Sequence, residues 1–169
     1  MTADPKSTDY LVFVCQGARY GLRSEQVSEI VRLPELTWSE DAPDCVAGVM
    51  NLRGRVIPVV DTEQRLGYAA RMYAVSDFVI VIEQGTGNTG VIVDQIHEVR
   101  EIDTNVIEDT PDYGDAHDLA RDLFEGIATL SDGLITLLRP DRLLIETDDQ
   151  DEAEAQPTRS PDREFCPHV

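Results

Sequence analysis

The chain has 169 residues, which suits one domain or two small intertwined ones, and 41% of them are apolar, enough to form a core. Its formal net charge of −19 argues against a nucleic-acid partner and against docking on an anionic membrane, because both need clustered Lys and Arg. No basic and then apolar leader opens the chain, and no apolar run is long enough for membrane insertion, so we expect a cytoplasmic protein.

Cysteine and histidine usage argues against a metal site or a disulfide framework. The chain has three residues of each type, and all six are widely spaced or lie near the C-terminus. An odd cysteine count without a C-x-x-C pair fits neither a set of disulfides nor a structural zinc site. We therefore expect no metal ion and no cofactor.

The first part of the chain predicts a short β-hairpin. Residues 1–9 are polar and are expected to be disordered. Residues 10–15 (YLVFVC) are apolar on both alternating faces, which predicts a strand that is buried on both sides, and residues 20–22 supply its partner strand.

A helical turn is predicted next. Ser24 is a suitable N-cap for a short helix over residues 25–29, and Val27 and Ile30 would give that helix an apolar stripe. The loop that follows contains Trp38, the only tryptophan, which we expect to cover the core.

The segment GVMNLRGRVIPVVD, residues 48–61, predicts two strands joined by a tight turn. Asn51 and Gly54 border the turn, and both residue types tolerate positive φ. Pro58 lacks an N–H group, so we expect the second strand to lie at a sheet edge or to be bulged there. Arg53 at this turn can make a planar, two-pronged contact with a carboxylate.

The second half of the chain predicts more short strands. A helical turn over 62–66 and an exposed connection over 71–77 precede two strands, 78–82 and 90–96. A final hairpin turns at Asp132-Gly133, and Pro140 begins a short helix. Residues 148–169 are acidic and poor in apolar side chains, so a disordered tail is expected there. This pattern favours an all-β barrel or a pair of barrels.

Catalytic motifs are absent from the sequence: there is no G-x-S-x-G, H-E-x-x-H or C-x-x-C. One enzymatic alternative stays open, because Asp61, Glu83 and Asp94 end predicted strands and a pair of them could act as in a glycoside hydrolase. In a chain with 33 acidic residues such placements also arise by chance. We predict a binding protein with no catalytic residues.

Several segments resemble the CheW family of chemotaxis adaptor proteins. The central segment is similar to the family motif G-V-x-N-L-R-G-x-x-x-P-V-x-D. The resemblance extends over residues 10–146, in the family's order, through Tyr10–Phe13, Tyr20–Leu22 with Val27, Glu29 and Ile30, Gly90–Asp94 with Val99, Gly126-Ile127 and Leu134–Leu138.

The resemblance implies a mainly β fold in which residues 10–147 form two intertwined five-stranded SH3-like β-barrels with short helices. It implies a non-enzymatic adaptor that couples the cytoplasmic tips of chemoreceptors to the histidine kinase CheA and is recruited to membrane receptor arrays. Type IV pilus motility is an alternative pathway. The receptor tip, a helical hairpin, would lie in an apolar groove between the barrels, and CheA would contact a barrel end.

The resemblance also indicates candidate binding residues. Glu29 and Arg53 match a paired acid and arginine near the groove, and Val27, Ile30 and Val93 would line its wall. The full candidate set is Val27, Glu29, Ile30, Asn51, Leu52, Arg53, Gly54, Pro58 and Val93. The alternative interpretation is structural: Val27, Ile30 and Val93 would be core residues, and if the Glu29–Arg53 pair were buried, removing one partner would cost roughly 3–5 kcal/mol.

Overall fold

The computed structural model describes residues 6–38, 40–85, 87–110 and 122–143. The predicted acidic tail lies outside the described residues. Within them the strands are β1 Ser7–Cys15, β2 Ala18–Arg23, β3 Val27–Arg32, β4 Val46–Leu52, β5 Arg55–Asp61, β6 Phe78–Gln84, β7 Gly87–Val93, β8 Gln95–Asp103, β9 Ile107–Glu108, β10 Phe124–Leu130 and β11 Gly133–Leu138. The helices are α1 Thr62–Arg65 and α2 Pro140–Leu143. No helix of this part of the chain is long and apolar enough to span a membrane.

The strands form two sheets. The first has the order β8-β1-β2-β11-β10-β9, and the second has the order β3-β6-β7-β5-β4. The second sheet is therefore inserted, in sequence, between β2 and β8 of the first. This arrangement confirms the predicted mainly β fold with two intertwined subdomains, although the first sheet contains six strands and not five.

The two sheets share one apolar core. Its members include Leu11, Phe13 and Leu22 from the first sheet and Ile80 and Val91 from the second. Each sheet also has an apolar cluster of its own on the opposite face. Because a strand alternates its side chains between two faces, both faces of β1 must be apolar, and this explains the continuous apolar run in its sequence.

The predicted helix over residues 25–29 is wrong. Only Ser24–Gln26 form a 3-10 turn, and the chain then extends as β3, which pairs with β6 through Ile30 and Ile80. The β-branched side chains of β3 pack well on a sheet, and the pairing with β6 outweighs the weak local signal for a helix. A second difference is that β1 begins at Ser7, which pairs with Asp103, so residues 7–9 belong to a strand.

The surroundings of Pro58 differ from the sequence-based expectation. Strand β5 is internal, because it pairs with both β4 and β7. Pro58 lies opposite Val49, whose N–H and C=O groups bond to Thr37 and not to β5. Pairing with β7 begins only at Val59. The missing N–H of Pro58 therefore removes no hydrogen bond from the sheet.

The central and final hairpins, the α1 turn and the start of α2 at Pro140 agree with the sequence-based predictions. The expectation for Trp38 does not hold. Its exposure of 55% is too high for a residue that covers the core. The connection over residues 71–77 is largely exposed, as predicted, except that Asp77 is buried and the Arg71 side chain is only a quarter exposed.

Candidate functional site

The turn between β4 and β5 presents Arg53 to solvent. Arg53 has a φ of 56° and Gly54 a φ of 87°, and Leu52 pairs with Arg55, which is the geometry of a two-residue type I′ hairpin loop. The Asn51 side-chain oxygen accepts a hydrogen bond from the Gly54 N–H at 2.9 Å. Asn51 and Gly54 therefore shape the turn that presents Arg53.

Arg53 donates to Glu29 of β3, with a distance of 3.1 Å between Nη2 and Oε1. Strands β3 and β4 are the two edges of the second sheet, so this contact joins one edge to the hairpin that carries the other. The sheet must curl to allow it, as a closing barrel does.

The Glu29–Arg53 pair is not buried. The Arg53 side chain is 78% exposed and that of Glu29 is 22% exposed. An exposed pair of this kind contributes only about 0.2–1 kcal/mol, so the alternative of a buried stabilising pair is wrong. The remaining N–H groups of the Arg53 guanidinium face solvent and are available to a carboxylate on a partner.

The apolar candidates occupy different environments. Val27 is partly buried and packs against the shared core, and Leu52 packs against the cluster of the second subdomain. Pro58 is half-buried in β5. Ile30 is 37% exposed although it pairs with Ile80 of the shared core, so it lies at the margin of that core.

Val93 requires a correction. It is fully buried in the shared core and pairs with Phe78, so it cannot line an open groove in this conformation. A β-branched residue in a central strand between two packed layers is a core residue by its position. Ile30, Asn51, Arg53 and Gly54 are the exposed candidates, and Glu29 is partly exposed.

Two of the three strand-end carboxylates, Asp61 and Asp94, have structural partners, and the third, Glu83, lies far from Asp94 along the sheet. Asp61 caps α1, because its side chain accepts from the Gln64 N–H at 3.1 Å and from the Tyr73 hydroxyl at 2.5 Å. Glu83 is exposed and pairs with Asn88, whereas Asp94 follows the other end of β7, several residues away along the strand. Asp61 is thus engaged in a helix cap and Asp94 in the ion pair with Arg71, and Glu83 does not lie beside Asp94 as a catalytic pair would require.

One cluster has no counterpart in the sequence-based predictions. Arg71 contacts Glu63 at 2.9 Å, Asp77 at 3.0 Å and Asp94 at 2.5 Å, and we call these four residues the Arg71 network. Gln16, in the turn after β1, donates its side-chain N–H to Glu63 at 2.7 Å and its backbone N–H to Asp94 at 2.9 Å. The network thus joins the second sheet to the first.

Burial and mutual contact shift the acid–base behaviour of the Arg71 network. Burial, and then the neighbouring Asp94 carboxyl, raise the pKa of Glu63. Burial by itself would lower the pKa of Arg71, but Glu63 and Asp77 outweigh it and raise the pKa. No spacing in the sequence predicts this cluster, since its members come from three parts of the chain: α1, the connection that follows it, and the residue after β7. The described residues contain no group of three metal-ligating side chains.

Comparisons with known proteins agree with the fold. The CheW-like domain family matches residues 9–148. A chemotaxis protein CheW from Klebsiella aerogenes is 27% identical over 136 residues, covering 80% of this chain and 81% of that protein. A chemotaxis protein CheW from Bacillus subtilis is 30% identical over 113 residues, covering 66% of this chain and 72% of that protein.

A solved structure is also similar. The crystal structure of the scaffolding protein TtCheW from Thermoanaerobacter tengcongensis superposes with a TM-score of 0.72 and 33% sequence identity. The match covers 85% of this chain and 91% of that one. With the family match spanning most of the sequence, the two-sheet fold and the Arg53 turn lead to one conclusion: the chain belongs to the CheW family.

Proposed function

We propose that this protein is a non-enzymatic adaptor that couples the cytoplasmic tips of chemoreceptors to the histidine kinase CheA. Membership of the CheW family and similarity to a scaffolding protein support the adaptor role. At the level of residues, the proposal rests on the position of Arg53. It is highly exposed, it is held by a tight turn, and Glu29 restrains it on one side.

The geometry suggests how Arg53 acts. The turn fixes its backbone and Glu29 occupies one N–H group, so part of the entropy cost of ordering this long side chain is met before a partner arrives. The free side of the guanidinium then receives a carboxylate of the receptor tip. Ile30 follows Glu29 in β3 and is 37% exposed, but it pairs with Ile80 of the shared core, so its apolar surface lies on the opposite face of β3 from Glu29.

The alternative is an adaptor in type IV pilus motility. It would act by the same mechanism but couple a different receptor to a different kinase. The hydrolase alternative has no support from the site, since Asp61 caps α1, Asp94 pairs with Arg71, and Glu83 lies at the other end of β7 from Asp94. We place the protein on the cytoplasmic side of receptor arrays, where both proposed partners would be accessible.

Arg53→Ala tests the proposal. Purified protein, CheA and a receptor cytoplasmic fragment from the same organism are mixed, and the complexes are measured by pull-down and by kinase activity. We expect the wild type to form a ternary complex that raises kinase activity. We expect Arg53→Ala to bind the receptor at least about tenfold more weakly, as at an interface hot spot. The free energy of unfolding should change by about 1 kcal/mol or less.

Arg55→Ala is the matched control, because Arg55 is an exposed arginine next to the same turn. It removes the same charge without the contact to Glu29, so it should retain receptor binding. Full receptor binding by Arg53→Ala would refute the role given to this residue. If the wild type bound neither protein, the coupling function itself would be wrong, whereas the family assignment would stand.

A further inference from the structure

Strand β8 is a long free edge of the first sheet. It has 9 residues, and within the described part of the chain its backbone pairs only with β1. The other three sheet edges are short or covered. Strand β9 has 2 residues, β4 bonds to Thr37 on its outer side, and Glu29 of β3 contacts Arg53. An edge as long as β8 is a template for pairing with another strand.

The centre of β8 is complementary to itself when two copies run antiparallel. With a two-fold axis at Val99, this residue lies opposite Val99 of the second copy, and Glu98 lies opposite Arg100. The symmetry produces the Glu98–Arg100 contact twice. Opposite charges directly across two antiparallel strands attract, and like charges there are destabilising. A charge pattern that protects an edge from pairing would place like charges opposite each other, and β8 does the reverse.

The side chains that would make these contacts are accessible. Val99 is 59% exposed, and the side chains of Glu98 and Arg100 are 44% and 30% exposed. Glu98 and Arg100 share one face of β8, because side chains alternate along a strand. Arg100 also contacts Asp132 at 3.0 Å, which holds its guanidinium in place and lowers the entropy cost of a further contact.

Val99 adds an apolar contact on the opposite face. It pairs with Leu11 of β1, so both side chains lie on the face that carries the shared core. Val99 is the margin of that apolar layer, and solvent covers it. Val99 of a second copy, directly opposite, would bury the exposed surface of both residues.

The contact is small and acts at short range. The register between β1 and β8 skips His97, and this bulge confines the regular antiparallel contact to the centre of β8. At about 0.15 M salt the Debye length is about 8 Å, whereas facing side chains on neighbouring strands are about 5 Å apart. The local attraction therefore persists, while most of the repulsion between two chains of net charge −19 is screened.

We propose that β8 pairs with β8 of a second copy of this chain, antiparallel and two-fold symmetric about Val99, so that the two first sheets join into one. Such an isologous contact closes after two copies and gives a dimer. This inference goes beyond the proposed function. Glu29 and Arg53 belong to the second sheet, so pairing through β8 does not use them. A dimer would carry two Arg53 turns and bind paired receptor tips with higher avidity.

Charge reversal tests this pairing in the full-length protein without partners. Each single variant, Glu98→Arg or Arg100→Glu, places like charges opposite each other at two points of the dimer. Sedimentation equilibrium in about 0.15 M sodium chloride measures the dissociation constant of the dimer. We expect a micromolar constant for the wild type, as for other small interfaces, and dimers at least about tenfold weaker for each variant.

The two single variants are complementary to each other. Mixed in equal amounts, they should form a heterodimer that recovers most of the wild-type affinity, because every charge then faces its opposite. The double variant Glu98→Arg with Arg100→Glu only exchanges the two charges, so it should dimerise by itself. A general effect of charge on folding or solubility would not produce this recovery.

Glu83→Arg and Arg142→Glu are the matched controls, because they reverse exposed charges away from β8. Both should dimerise as the wild type does, and thermal unfolding of every variant checks that the fold is retained. A monomeric wild type would overturn the inference, and so would single variants that dimerise normally or a mixture that does not recover.

The same variants distinguish a second copy from another occupant of the edge. If the wild type were monomeric and a charge reversal on β8 weakened binding to CheA or to the receptor fragment, the edge would belong to that partner and the inference would be wrong. The coupling function is tested separately through Arg53→Ala, so it would stand after either result.

Discussion

Arg53 and Arg71 have opposite roles because their surroundings differ. Arg53 is mostly exposed and contacts one carboxylate, so its charge is available to a partner and contributes little to stability. Arg71 is three-quarters buried and contacts three carboxylates, two of them on buried residues. Without Arg71 those carboxylates would repel one another in a poorly hydrated site, so this residue is structural.

Glu63 gives a prediction about pH. Its pKa is raised in the folded state by burial and by Asp94, so the folded protein holds this proton more tightly than the unfolded chain does. The resulting stabilisation is fully present below the unfolded pKa, near 4.5, and is lost as the pH rises through the folded pKa. In Glu63→Gln this loss is absent. As the pH rises above 4.5, the free energy of unfolding should therefore fall less in the variant than in the wild type.

Urea unfolding at a series of pH values measures this difference. Glu83→Gln removes one negative charge from an exposed position on β6 and serves as the control. If the curves of Glu63→Gln and the wild type ran parallel over this range, the role of the buried carboxyl would be refuted.

At the scale of elements, β3 and β4 show what a strand requires from its neighbours. The sequence predicts a helical turn over residues 25–29, and pairing with β6 makes residues 27–29 part of a strand instead. Strand β4 is an edge whose outer side bonds to Thr37 through Val49. That contact brings the Thr37 backbone close to Gly48, where a side chain has no room.

Gly48→Ala should destabilise the fold. Gly48 has a φ of 155°, and a Cβ atom there would lie 2.8 Å from the Thr37 carbonyl oxygen, which is backbone and cannot rotate away. We expect a loss of about 1–3 kcal/mol in the free energy of unfolding, measured by urea denaturation. Gly87→Ala is the control, because a Cβ atom at Gly87 would have no neighbouring atom within 4 Å and should change stability by less than about 1 kcal/mol. Equal effects at both positions would show that the contact with Thr37 is unimportant.

At the scale of the whole molecule, the net charge of −19 acts on stability. Like charges repel more strongly in the compact state than in the unfolded chain, and added salt screens this repulsion. We expect the melting temperature to rise from low to molar sodium chloride, by about 2–4 °C for each kcal/mol of repulsion that is relieved. A variant that lacks residues 148–169, which hold seven acids and two arginines, should respond less. A melting temperature that is independent of salt would contradict the prediction.

The sequence by itself determined the class of fold and the family. Alternating β-branched runs, the Asn-Leu-Arg-Gly turn and the Asp-Gly turn depend on local backbone preferences, which neighbouring residues specify. The two hairpins, α1 and the Arg53 turn could be predicted for this reason. The pairing of Glu29 with Arg53 was accessible only through the resemblance to a family, because the two residues are 24 positions apart.

Only the tertiary structure decided which residues are surface and which are core. Val93 and Ile30 have similar side chains, yet the first is fully buried and the second lies at the margin of the shared core. Sheet order made β3 a strand and placed β5 inside its sheet. The Arg71 network forms where α1, the connection between α1 and β6, and Asp94 between β7 and β8 meet. Such contacts join distant parts of the chain, and no local pattern of residues encodes them.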